Sequence, residues 1–244
     1  MNLKNAYFYN IFNRVSNTGK IPKIDFHIHT SWTDGENSVV EMYKKCSKLK
    51  FETILYSEHS RSSSSDWFKK FSKQVKNLKI INNCYPLVGT EVKILNFKGK
   101  LDLSKEVQKE CAIVMASVHR FPGEVFDERK KITEQLNYSK KTNIIETELN
   151  MILGAINNPD VDILGHPLGM CIKRFGIIPD QKYFDYIIEM AKKKEKIFEI
   201  NFRYHYDYKS LTNLCLKKKC LFSYGSNSHS TQDLEIYAKK IEKN

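Results

Sequence analysis

The stretch KIDFHIHTSWTDG, from Lys23 to Gly35, places His27 and His29 one residue apart inside an apolar run. Residues two apart on a strand point to the same side, so both imidazoles share one face. The pattern of this run, apolar with a polar residue at its end, recurs along the chain. It returns at ETILYSEH (52–59), YPLVGTEVKI (85–94), CAIVMASVH (111–119), VDILGHP (161–167), KIFEINF (196–202) and CLFSYGSNSH (220–229). Amphipathic stretches such as 38–49 and 143–156 separate several of them. In the second, Ile144, Ile145, Leu149, Ile152, Leu153 and Ile156 repeat close to a helical period. Strands alternating with helices predict a parallel sheet, and seven such units in one domain predict a closed or nearly closed α/β barrel.

With 244 residues and 41% hydrophobic content the chain can bury one full barrel core. Tyr7, Phe8, Ile11, Phe12 and Val15 predict a short amphipathic helix that packs on the domain before Pro22 opens the first strand. Residues 1–22 are therefore read as a helical extension of a single 1–244 domain. No run approaches the ~18–20 apolar residues of a membrane span, and no charged n-region leads into an apolar one, so neither membrane nor secretory leader is expected. Six cysteines (Cys46, Cys84, Cys111, Cys171, Cys215, Cys220) form no CxxC pair. They read as reduced thiols of a cytoplasmic protein and argue against a cysteine zinc site. The net charge of +12 is spread over helix-like lysines such as 192–194 and 217–219. It suits anionic substrates in general, with nucleic acid the less favoured partner.

Six of the seven histidines, together with Glu91, fall at or near the C-terminal ends of the seven runs; His205 alone lies elsewhere. In a β/α barrel that rim is where active sites are built. Six buried imidazoles without metal would leave ring nitrogens with too few partners. Imidazole and carboxylate together suit zinc, manganese or iron, and the lack of thiolates favours a catalytic over a structural site. Two or three divalent ions imply hydrolysis by metal-bound hydroxide, with phosphoryl oxygens held across the ions. No P-loop or dinucleotide glycine motif competes with this reading.

HIHTSWTDG, SEH, GTEV, SVH, GHP and GSNSH, in this order, resemble the motifs of the polymerase-and-histidinol-phosphatase (PHP) superfamily over about residues 23–230. The resemblance implies a distorted seven-stranded TIM-like barrel whose metal site lies at the strand C-termini. The segment from Gly89 to His119 is particularly like single-domain phosphatases and the PHP domains of bacterial family X polymerases. Carried over by residue, His27, His29 and Glu91 would hold a first ion. Glu91 would bridge to a second, completed by His119 and His166, and Asp34, His59 and His229 would take a third. Glu91, His119, His229 and Asn227 are the positions implied for catalysis.

At position 227 the chain departs from the family pattern. Where the family reads GSDxH, with an aspartate that ligates the first metal and can accept a proton, this chain reads GSNSH. An asparagine oxygen can coordinate but is neutral and cannot act as a base. Three ions would then face only two ligand carboxylates, Asp34 and Glu91, which weakens the first site or makes it depend on substrate phosphate. Arg61, Arg120 and Arg203, each following a strand, are candidate phosphate contacts, with Arg174 beyond GHPLGM. His205 with Tyr204 and Tyr206 is either a pocket wall or a surface aromatic cluster. Asp25 has the same strand parity as His27 and His29, so it either orients an imidazole or is structural, and Glu199 and Asn201 are read as structural or supporting. The first expectation for function is a metal-dependent phosphoesterase acting on a small phosphomonoester such as histidinol phosphate. The alternatives are a nuclease or phosphodiesterase, and a binding module that lost turnover through Asn227.

Overall fold

The computed structural model of the chain describes residues 3–122 and 141–243. Among them seven strands form one sheet in chain order: β1 Ile24–Ile28, β2 Thr53–Ser60, β3 Tyr85–Lys93, β4 Ile113–Ser117, β5 Ile163–Leu164, β6 Ile197–Asn201 and β7 Phe222–Gly225. Every neighbouring pair is parallel. Helices between them cover the outside: α1 Leu3–Thr18, α2 Val39–Lys48, α3 Ser65–Lys76, α4 Lys105–Glu110, α5 Lys141–Ile156, α6 Gly169–Lys173, α7 Gln181–Lys193, α8 Tyr208–Lys218 and α9 Thr231–Glu242. This is the expected α/β barrel, and each of the seven runs overlaps one of its strands, β2 running one residue past its run to Ser60.

Local chemistry explains the helix boundaries. Ser38 opens α2: its Oγ accepts the Glu41 N–H at 3.3 Å, and the Glu41 carboxylate accepts the Ser38 N–H at 2.8 Å. Two orphan donors are thereby satisfied. Val39, Met42, Tyr43 and Cys46, spaced by three and four, give α2 its buried face. All six cysteines are free. Among the described residues no helix is long and apolar enough to cross a membrane.

The barrel is nearly closed, and the seam between β7 and β1 is its weakest ladder. One parallel bridge, Ile28 with Ser228, joins the two edges. His29 N–H donates to Ser228 O at 2.9 Å, and Ser228 N–H to His27 O at 3.2 Å. Asp25, near the start of β1, adds a side-chain link to Ser226, just past the end of β7. Its Oδ1 accepts the Ser226 N–H at 2.9 Å and its Oδ2 accepts the Ser226 hydroxyl at 2.5 Å. Helix α1 lies over this seam. Phe8 packs on Phe26 of β1 at a ring separation of 5.2 Å, and Phe12 on Phe222 of β7 at 5.9 Å. Burying an aromatic side chain of this kind stabilises by roughly 1.5–3 kcal/mol, so α1 is an integral cover of the barrel.

Candidate metal centre

Glu91 sits near the end of β3 with its carboxylate buried at the centre of the rim. Its Oε1 lies 3.1 Å from His119 Nε2 and 2.8 Å from His166 Nε2. Its Oε2 lies 3.1 Å from His59 Nδ1, 3.3 Å from His27 Nε2 and 3.5 Å from His29 Nε2. The parallel register places His59 directly beside Glu91. His29, His119, His166 and His229 stand just past the paired residues, where the chain leaves the sheet. His27 Nε2 and His29 Nε2 are 3.1 Å apart. At the mouth, Asp34 Oδ2 lies 3.2 Å from His229 Nε2 and 3.4 Å from His59 Nε2, while its Oδ1 is 3.9 Å from His29 Nδ1. Groups whose donor atoms all lie within 4.8 Å of one another are His29, Asp34, His59 and His229; His27, Glu91 and His166; and His59, Glu91 and His119, so the same residues gather but in partitions that differ from the three sets expected from the sequence.

These distances suit cations. A carboxylate offers about four lone-pair directions, fewer than the five imidazoles that face Glu91. Donor atoms about 2.0–2.2 Å from a common ion lie roughly 3–3.5 Å from one another. Asn227 Oδ1, on the wall of the cleft, is buried without a hydrogen-bond partner among the described residues. An unpartnered buried polar atom is costly, and a cation satisfies a lone pair. The charge distribution agrees. Burial alone would raise the pKa of Glu91, but His119, His27 and His59 hold it well below the usual carboxylate range. Burial likewise opposes ionisation of Asp34, yet hydrogen bonds to His229 and His59 hold its pKa low. Burial, then His59 and His27, push the pKa of His29 down and keep the ring neutral, the form that ligates.

The surrounding polar residues fix these rings. Glu199 Oε1 meets His27 Nδ1 at 2.7 Å, and its Oε2 accepts the His166 N–H at 2.5 Å. Asn201 Nδ2 donates to Glu199 Oε1 at 3.0 Å. Asp25 does not touch an imidazole side chain; it accepts the His27 backbone N–H at 3.1 Å and serves the seam. The β1–β2 register slips by one residue between Asp25 and Ile28, so the parity counted from His27 does not carry back to Asp25. Burial pushes the Asp25 carboxyl up to about 7, although three hydrogen bonds oppose the rise. His205 stays out of the cleft. Its Nδ1 accepts the Asn201 N–H at 3.0 Å, its Nε2 donates to Pro167 O at 3.0 Å, and burial lowers its pKa to about 4. Tyr206 is exposed, and only Tyr204 of that trio lines the site, stacked on His166 at 4.3 Å.

The centre opens into a cleft of two lobes that share Asp34, His59, Glu91 and His119. The inner lobe, about 350 Å³, is bounded by Tyr204, Asn227, Arg203 and Lys173. Arg203 Nη1 donates to Asn227 O at 3.1 Å and lies 3.2 Å from His229 Nδ1. The outer lobe, about 800 Å³, is lined by Arg61, Arg120, Lys93, Trp32 and Trp67. All three candidate arginines therefore border the cleft, with Arg203 in one lobe and the other two in the second. Arg174 Nη1 instead reaches His119 O at 3.4 Å.

Three contributing residues were missed in the sequence. Lys93 and Lys173 look like ordinary surface lysines in one dimension. Glu148 interrupts the apolar stripe of α5, and that interruption was the available signal. Its two oxygens accept the N–H groups of Met170 and Cys171 at 3.0 and 2.7 Å, which anchors the turn after His166, and burial raises its pKa to about 7.

A family model described as PHP domain matches residues 25–203. The chain is 29% identical over 187 residues to the DNA polymerase/3'-5' exonuclease PolX of Bacillus subtilis, a match that covers 73% of this chain but only 29% of that protein. It is 28% identical over 221 residues to a probable phosphatase of Clostridium acetobutylicum, covering 84% of this chain and 78% of the relative. Among solved structures, the hisK protein of Listeria monocytogenes superposes with a TM-score of 0.65 at 19% identity, over 87% of this chain and 97% of that one. The histidinol phosphate phosphatase of Lactococcus lactis, complexed with zinc, L-histidinol and phosphate, gives 0.55 at 17% identity, over 90% and 93%. These two likenesses establish the barrel.

Proposed function

Because the chain belongs to the PHP domain family, we propose that its cleft hydrolyses phosphoesters with divalent metal, and that its substrate is a small phosphomonoester. One observation carries this reading: nine side chains from six strands and their following loops converge on a single rim around Glu91. His27, His29, Glu91 and Asn227 are suited to hold a first ion, Glu91, His119 and His166 a second, and Asp34, His59 and His229 a third. Zinc, manganese and iron all suit this donor set. When bound, such ions lower the pKa of water and place positive charge against phosphoryl oxygens.

The chain's own residues account for the rest. Arg203 is held at the inner lobe by Asn227 O, where its planar fork can grip a phosphoryl group. Glu199 and Asn201 keep His27 aimed inward, and Tyr204 covers His166. With an amide at 227, no carboxylate is available there to take a proton from the nucleophile. The Lactococcus relative, complexed with L-histidinol and phosphate, and the Clostridium relative, a probable phosphatase, both support a small phosphomonoester as the substrate class without fixing its leaving group. A second reading, cleavage of nucleic acid, draws on the polymerase relative, of which the match spans under a third.

Purified protein is expected to carry more than one equivalent of zinc, manganese or iron. Chelation should stop phosphate release from an aryl phosphate, and metal addition should restore it. A protein that binds no metal and releases no phosphate removes the proposal. Asn227→Asp is expected to tighten the first ion about tenfold, the effect of about 1.5 kcal/mol from one added charged contact. Calorimetric titration with metal reads this directly, and equal affinities in the two proteins would dismiss the role assigned to Asn227.

A further inference from the structure

If the inner lobe holds the phosphoryl group, as proposed above, the leaving group extends into the outer lobe, because the two share four residues. The outer lobe carries a layer of cations above the metal ligands. Lys93 lies two residues past Glu91 on β3, so it leaves the same face about 6.6–6.8 Å nearer the mouth. Arg61 lies two residues past His59, just beyond the end of the adjacent β2, and Arg120 directly follows His119. All three line the lobe. Among its described lining residues, the only carboxylate outside the metal cluster is Asp102, whose Oδ1 accepts both the N–H and the hydroxyl of Ser62 at 2.9 Å. Trp32 and Trp67, stacked at 6.0 Å, also line the lobe.

We propose that the outer lobe selects phosphomonoesters whose leaving group bears a second anionic group, with Lys93 and Arg61 as its specificity residues. A leaving group bearing an ammonium meets like charge there, which places amino-alcohol esters, histidinol phosphate included, among the poorer substrates.

Three aryl phosphates that differ only in their para substituent test this: carboxylate, methyl and aminomethyl. The metal-loaded wild-type protein is expected to rank them carboxylate, methyl, aminomethyl in kcat/KM, with about tenfold between the extremes at low salt and less at high salt. Lys93→Glu is expected to invert the order. The inversion is read within one variant, so a loss of folded protein, which scales all three alike, cannot imitate it. If that variant does not fold, Lys93→Met should compress the ranking toward equality. Equal or reversed ranking in the wild type overturns the selectivity and leaves the phosphoesterase reading standing. Turnover of none of the three removes both. Faster turnover of a single-stranded oligonucleotide than of every small ester overturns the inference in favour of a polyanion.

Discussion

Glu91→Gln is expected to leave a folded barrel that has lost most of its metal and hydrolyses phosphoesters about a thousandfold more slowly. The carboxylate faces five imidazole nitrogens between 2.8 and 3.5 Å, and it is the only group common to the first two ligand sets. Glutamine preserves the volume, so β3 and its neighbours have no packing reason to move. It removes the negative charge and turns one oxygen into an N–H₂ aimed at rings that also need an acceptor. Loss of about 4 kcal/mol of charge stabilisation at 1.36 kcal/mol per tenfold corresponds to about three orders of magnitude. Elemental analysis and phosphate release on the same preparation, with circular dichroism as the fold control, measure the effect. Metal content and rate both within twofold of wild type would take Glu91 out of the centre.

Glu199→Gln is expected to weaken metal binding by about 10–100-fold while leaving the fold intact, the usual cost of losing a partner that orients a ligand. Glu199 bonds the Nδ1 of His27 and so fixes the tautomer that turns Nε2 toward Glu91 and His29. It also accepts the backbone N–H of His166, so one carboxylate aligns ligands from two strands. Burial alone would raise its pKa, but His27 and His166 hold it below the usual range and keep it anionic. A neutral amide can still accept one of these bonds, which is why a graded loss is expected rather than an abolished site. Competition against a chelating dye gives the affinity. If dye competition shows no weakening, Glu199 merely fills space in the barrel floor.

The barrel was legible because its strands are short apolar runs with polar ends, a pattern that survives in one dimension. The cluster of candidate ligands was legible for the same reason: its residues stand at those ends, where chain order and spatial order coincide. What failed was any inference that needed a third dimension. Parity counting on β1 assumed an unbroken strand, and the slip before Ile28 turned Asp25 toward Ser226 instead of a ring. His205 has the same chemistry as the other six histidines, yet it is spent on the Asn201 and Pro167 backbone. Lys93 was overlooked because a lysine after a strand is usually solvated. Only the closeness of Arg61 and Arg120, in the loops that follow the two flanking strands, makes it part of the cleft.

The seam between β7 and β1 has a further consequence. His27 and His29 belong to one edge of the sheet, Asn227 and His229 to the other, and one backbone bridge spans them. The first and last thirds of the polypeptide therefore meet at the ligand cluster, and the site exists only once the ring has come round on itself. A cation held there as proposed would act as a clasp on this join and would couple its own binding to ring closure, with α1 as the strap laid across it.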